Sequence, residues 1–302
     1  MMLNTKRLLC IAFLLLAVGS CSPAPETARQ LPVYRIGYMI CNSAEETLQR
    51  FEPLTAYLSE KLGVRFEAVA IDTINFTREI DTLHFTHSNS LLYIILHRLH
   101  GVEILAGEKA GSLGVRSQGA IVALAKSNIR TLQDLVGKTM LFGPMYAPTT
   151  YLTQLDLLLK NNIDPEEDLA FYSIPAGSFK HEKVIYGTLF GKADAGAFPM
   201  LDFERMIAAG KIDADDFFVI ARGEPIVYCT FGVTQKVDGT LADKFQQALL
   251  ALTEETTVAI GGEVVRVLDR ALVDGYEILR DSDFDPVREM ARRTGMPPYQ
   301  VY

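Results

Sequence analysis

An α/β fold divided between two compact lobes is what this chain predicts, on three observations. Apolar runs of strand length alternate with helix-period segments through the first hundred residues, the pattern of a parallel or mostly parallel sheet. The chain has 302 residues, a length that strains a single core and favours two lobes. Residues 138–160, KTMLFGPMYAPTTYLTQLDLLLK, pass from a buried strand through a small-residue loop into a helix. Such a junction leaves backbone N–H groups free at the helix start, where they favour an anion. The composition, 49% hydrophobic and 22% charged, is that of a folded protein.

Taken in order, residues 33–40 (VYRIGYMI) read as the first strand. Ser43 with Glu46 three residues on makes a capping box. Leu48, Phe51, Leu54, Leu58 and Leu62 then carry helical periodicity to a stop at Gly63. A strand follows at 64–70 and a helix at 75–83. The stretch FTHSNSLLYIIL (85–96) starts as a strand, turns through Ser88-Asn89-Ser90 and enters a helix ending near Gly101. Further strands are expected at 102–108, 119–125, 139–142, 169–174, 193–198, 217–221 and 226–233. Gly143-Pro144 ends the strand at 139–142, and Pro148 suits the first turn of the next helix, with Leu152, Leu155, Leu158 and Leu159 at helical spacing. Later helices are expected at 177–190, with Ser178 as cap and His181 in the first turn, and at 241–254, 263–271 and 284–294.

The loop of the central stretch carries Tyr146, Thr149 and Thr150, hydroxyl donors at the helix mouth. They are the candidate ligands for an oxyanion, against the plain alternative of an ordinary turn with Thr as cap. Asn89 and Ser90 either face a ligand or simply shape their turn.

Lys6 and Arg7 precede the apolar run 8–20, which is too short for a membrane span and right for a signal peptide. Val18-Gly19-Ser20-Cys21 resembles a bacterial lipobox, which implies a lipid on Cys21 and membrane anchoring. A plain secretory signal is the alternative. Residues 21–30 then form a Pro-containing polar tether. Removing 1–20 takes away two cations and no acid, so the formal charge moves from −8 to −10. An acidic chain with no basic run is a poor partner for nucleic acid. Cys41 and Cys229 remain in an oxidising compartment, as a disulfide or as two separate thiols. No zinc-type spacing is present, so neither metal nor cofactor is expected.

Five segments in this order and spacing carry a resemblance: RIGYMICNSAEETLQRFEPLTAYLSEKLGV, SNSLLYIIL, AKSNIRTLQDLVGKTMLFGP, HEKVIYGTLFGKADAGAF and GVTQKVDGTLADKFQQALLAL. Together they resemble the phosphate/phosphite/phosphonate-binding periplasmic proteins of ABC transporters. The resemblance implies a two-lobed type II periplasmic binding protein fold, each lobe a mixed, mostly parallel sheet flanked by helices. It places lobe one at 31–114 and 233–302 and lobe two at 115–232, with crossover strands near 120–125 and 226–232. It further implies a monomer that captures a small anionic ligand in the interlobe cleft and delivers it to an ABC permease. A role as the ligand-sensing partner of a membrane receptor or kinase, with a non-phosphorus ligand, is the alternative. Tyr93 and His181 fall where the family has a cleft tyrosine and a cleft histidine. The family's Ser-Thr-Ser-Gly loop is replaced by Tyr146-Ala147-Pro148-Thr149-Thr150, and the acid that commonly follows the strand ADAGAF is replaced by Phe198-Pro199. An aminoalkylphosphonate is therefore disfavoured as ligand.

An enzyme is not expected. A hydrolase needs a nucleophile with a base in reach, and the chain has no nucleophile elbow, no HExxH and no carboxylate cluster around His181.

Overall fold

The computed structural model describes residues 31–41, 43–175 and 181–300. Strands β1 (Val33–Met39), β2 (Arg65–Ile71), β3 (Phe85–Asn89) and β4 (Glu103–Lys109) come first, followed by the short β5 (Arg116–Ser117), β6 (Gly119–Leu124), β7 (Thr139–Leu141) and β8 (Phe171–Ser173). Then come β9 (Ala195–Pro199), β10 (Phe217–Arg222), β11 (Ile226–Val227), β12 (Cys229–Val233), β13 (Thr257–Ile260), β14 (Glu263–Arg266) and β15 (Gly275–Glu277). The helices are α1 (Ala44–Leu62), α2 (Phe76–Glu79), α3 (Ser90–His100), α4 (Leu152–Lys160), α5 (Pro165–Asp168), α6 (Glu182–Leu189), α7 (Met200–Ala208), α8 (Gly239–Leu250), α9 (Val267–Ala271) and α10 (Asp285–Arg293). None is long and apolar enough to cross a membrane among the described residues.

Two main sheets organise these elements. The first has the order β15-β4-β12-β3-β1-β2 and the second β10-β6-β9-β7-β8. In the first, β1 runs parallel to β2 and β3, while β12 is antiparallel to β3 and β4. In the second, β7 is parallel to β8 and β9, and β6 is antiparallel to β9 and β10. The sheets are thus mixed, with most strands of each running one way, close to the mostly parallel arrangement that the alternation of elements predicts.

Local chemistry sets the ends of α1. The Ser43 hydroxyl accepts from the Glu46 N–H at 3.1 Å, and Gly63 ends the helix at φ 64°, a conformation that costs Gly little. The buried face of α1, with Phe51, Leu54 and Leu58, packs on the first sheet together with Phe245 of α8 and Val267 of α9. Phe85 and Phe245 stack there with ring centroids 4.0 Å apart. A second core, with Ile121, Phe142, Leu152 and Met290, lies on one face of the second sheet, and a third, with Val184, Phe198 and Phe203, on the other. Both faces are covered, which is why its strands read as continuous apolar runs.

The structure corrects four expectations. Residues 120–125 are not a link: β6 is an interior strand of the second sheet. The chain crosses instead where β5 pairs with β11, Ile226 against Ser117 and Val227 against Arg116. The helix expected at 263–271 is half strand, because Gly261 and Gly262 turn with positive φ and the following Val264-Val265 pair back against β13. The helix expected at 75–83 is a series of short turns around α2. The helix expected from Pro148 begins at Leu152. The cap expected at Ser178 lies outside the described residues.

Candidate functional site

Loops at the carboxyl ends of strands in mixed α/β sheets are where ligand-binding clefts form, and here such loops from both sheets enclose a cavity of about 290 Å³. Met39, Ile40 and Cys41 close it from the end of β1, Asp72, Thr73 and Ile74 from the end of β2, and Asn89 from the end of β3. Pro144, Met145, Tyr146, Ala147, Ile174 and His181 face them from the second sheet. Most of this lining is apolar.

Asn89 is the N-cap of α3. Its Oδ1 accepts from the Leu92 N–H at 2.9 Å, while its Nδ2 donates to the Tyr146 carbonyl at 2.8 Å on the opposite wall. His181 precedes α6, its ring 3.8 Å from an Asp202 carboxylate oxygen and its Nδ1 buried without a partner among the described residues. Burial pulls the imidazole pKa down, and Asp202 only partly opposes that.

Of the residues singled out in the sequence, Asn89, Tyr146 and His181 line the cavity. Thr149, Thr150, Ser90 and Tyr93 do not. Thr150 turns back onto its own loop, its hydroxyl donating to the Ala147 carbonyl at 3.0 Å. Gly143 permits this, since a Cβ there would lie 2.4 Å from that hydroxyl oxygen. Several of the N–H groups expected to be free at the helix start are also occupied. Those of Thr150 and Tyr151 both donate to the Ala147 carbonyl, and that of Thr153 to Pro148. Tyr93 is buried under α10, packed on Phe284, with its hydroxyl donating to Asp281 at 2.9 Å. Ser90 is buried with its hydroxyl unpartnered among the described residues. Cys41 and Cys229 are free thiols, so the disulfide is not formed, and burial pushes the pKa of both upward. Cys21 lies outside the described residues.

A second, more polar chamber of about 520 Å³ adjoins the first and shares Cys41 and His181 with it. Its walls bring in residues the sequence reading passed over: Arg50 of α1, Asp202 and Arg205 of α7, Glu182, Lys211 and Tyr228. Lys211 and Glu182 pair with each other at 2.8 Å. Behind Arg50, the fully buried Glu108 lies 2.8 Å from His87 and 3.8 Å from the guanidinium. Burial would raise the Glu108 pKa, but His87 and Arg50 outweigh it and hold it low. Ligand-type atoms of His87, Glu108 and Cys229 lie within 4.8 Å of one another. Arg50 already places a positive charge beside Glu108, which disfavours a cation in that cluster. The spacing of Asp202 and Arg205 on α7 puts them on one helix face, the one signal by which sequence could have joined them.

The fold has close counterparts among solved structures. PhnD1 of Prochlorococcus marinus, solved with methylphosphonate, superposes with a TM-score of 0.73 at 14% identity, over 89% of this chain and 99% of that one. A binding protein of a phosphonate ABC transporter from Pseudomonas aeruginosa gives 0.69 at 18% identity, over 87% of each chain. A Xanthomonas citri protein solved with ATP gives 0.70 at 16% identity, over 87% and 97%. At those identities the likeness speaks for the fold, which is that of type II periplasmic binding proteins. Residues 36–284 match the model for the periplasmic substrate-binding protein of phosphonate ABC transporters, and the chain belongs to that family.

Proposed function

We propose that this protein captures a small oxyanion-bearing ligand of the phosphate, phosphite or phosphonate kind in the cavity between its two sheets, for delivery to an ABC permease. The observation that carries the reading is the cavity itself, walled by strand ends of both sheets and bridged by Asn89 and Tyr146. Asn89, Tyr146 and His181 are the ligand-facing polar residues in this account. A neutral imidazole suits the role, because it can donate one hydrogen bond to an oxyanion without importing a charge. The lobes would be residues 31–114 with 233–302 and residues 115–232, moving about the β5–β11 pair in a hinge-type closure. The protein would act as a monomer, held to the membrane by lipid on Cys21.

The test is a thermal-shift screen of phosphate, phosphite, methylphosphonate, sulfate, sulfonates and carboxylates. A ligand at about 100 times its Kd should add roughly 2.7 kcal/mol of stability. A screen in which none of these oxyanions raises the Tm would refute the assignment.

A further inference from the structure

Arg50 and Arg205 reach the same place from opposite sides of the cleft. Arg50 Nε donates to the Ala271 carbonyl at 2.7 Å, and Arg205 Nη2 donates to the next carbonyl, Leu272, at 3.2 Å. These carbonyls close the short helix α9, where Leu272 sits in the left-handed region at φ 57° and backbone acceptors are left over. Two guanidiniums, one on α1 and one on α7, are thereby held on consecutive peptide units, and like charges so close repel. Arg50 has Glu108 behind it. Arg205 has no carboxylate within ion-pairing distance among the described residues and is exposed. Both line the polar chamber.

The loop that should hold an oxyanion is at the same time poorly equipped for it. Its Thr150 hydroxyl and several of its N–H groups are spent internally. The chamber beside it is lined by Met39, Ile40, Ile74, Met145 and Ile174, a surface suited to hydrocarbon. The two chambers meet at Cys41 and His181.

Resting on the binding-protein reading above, we propose that the ligand is amphiphilic. Its oxyanion head lies between the Arg50 and Arg205 guanidiniums, and its organic substituent passes His181 into the apolar chamber. A guanidinium pair offers a planar fork of donors that matches a tetrahedral oxyanion. The head relieves the repulsion between the two arginines. Asp202, beside His181, lines the same chamber as the two arginines, and Lys211 is neutralised by Glu182. The organic group sets selectivity against bare phosphate, since each buried methylene favours binding.

Isothermal titration calorimetry at low salt, with phosphate, methylphosphonate, butylphosphonate and butanol as probes, tests this. Affinity should rise roughly threefold to fourfold per added methylene from methylphosphonate to butylphosphonate, and butanol should not bind measurably. Arg205→Gln, an exposed position whose loss leaves the fold intact, should weaken butylphosphonate binding at least about tenfold. Arg50→Gln should do the same, with Arg50→Lys recovering part of the loss, and the Tm of each variant reports folding separately. If the arginine variants bind like wild type while Thr149→Ala abolishes binding, the head sits at the loop; this inference falls and the binding-protein reading stands. An affinity that does not increase with tail length overturns it too. If no oxyanion binds the wild-type protein, both fail together.

Discussion

The side-chain amide of Asn89 donates to the backbone carbonyl of Tyr146 at 2.8 Å, joining the start of α3 on one sheet to the loop after β7 on the other. The same side chain caps α3 through Leu92, so one residue sets a helix start and spans the cleft.

Asn89→Asp separates those roles. Asp caps as well as Asn but offers no donor to Tyr146. Loss of the bridge should cost about 0.5–1.5 kcal/mol. That corresponds to roughly twofold to tenfold weaker methylphosphonate binding by calorimetry, while far-UV circular dichroism stays that of wild type. Unchanged affinity would show that the bridge has no part in holding the cleft.

Tyr93→Phe removes a hydroxyl that donates to Asp281 within the α3–α10 contact. Asp281 keeps its ion pair with Arg288. Urea unfolding should register a loss of about 1 kcal/mol, and ligand affinity should not change. A variant that folds normally yet loses ligand would restore Tyr93 to the cleft.

The backbone of the fold was legible where local signals agree. Ser43, the leucine periodicity and Gly63 each mark α1 independently, and Gly101 marks the end of α3 in the same way. The stretch at 263–271 was misread because Val264 and Val265 fit a helical period and a strand equally well, and only the Gly261-Gly262 turn decides between them. At the site, Asn89 and Tyr146 could be singled out because they sit at strand-to-helix junctions, and His181 because it falls where the family has a cleft histidine. Tyr93 shares that neighbourhood in sequence, but helix rotation turns it inward toward Phe284. Arg50 and Arg205 resemble ordinary solvated helix residues until the fold sets them on adjacent carbonyls, a relation that spans more than 150 positions of sequence and leaves no local trace.

His181 should make stability depend on pH. Burial lowers its folded-state pKa, so as pH falls the unfolded chain takes up this proton first. Stability is then full above the ordinary histidine pKa of about 6.5 and declines below it. His84, also held low by burial, remains in both proteins when wild type and His181→Gln are compared by urea titration from pH 8 to pH 5. The variant should show the shallower decline. Parallel curves would mean that His181 titrates as it does in the unfolded chain.

Phe245→Ala removes the ring stacked on Phe85 in the core of the first sheet. A loss of about 3–5 kcal/mol is expected in urea unfolding. A cost below about 1 kcal/mol would be out of keeping with a fully buried ring.

Lipid on Cys21 is tested by Cys21→Ser. The wild-type protein should sediment with membranes, and the variant should move to the soluble fraction, since stable anchoring requires the acyl chains. Equal partitioning of the two would exclude a lipid anchor.

The central claim, that one oxyanion-bearing ligand occupies the space between the sheets, is tested most directly by blocking that space. Ala147 lines the cavity and is partly exposed, so Ala147→Trp should fill the cavity while the fold persists. Titration of wild type with butylphosphonate should show one site per chain, and the blocked variant, folded by circular dichroism, should give no heat. Binding of the same stoichiometry and affinity to both proteins would contradict the account.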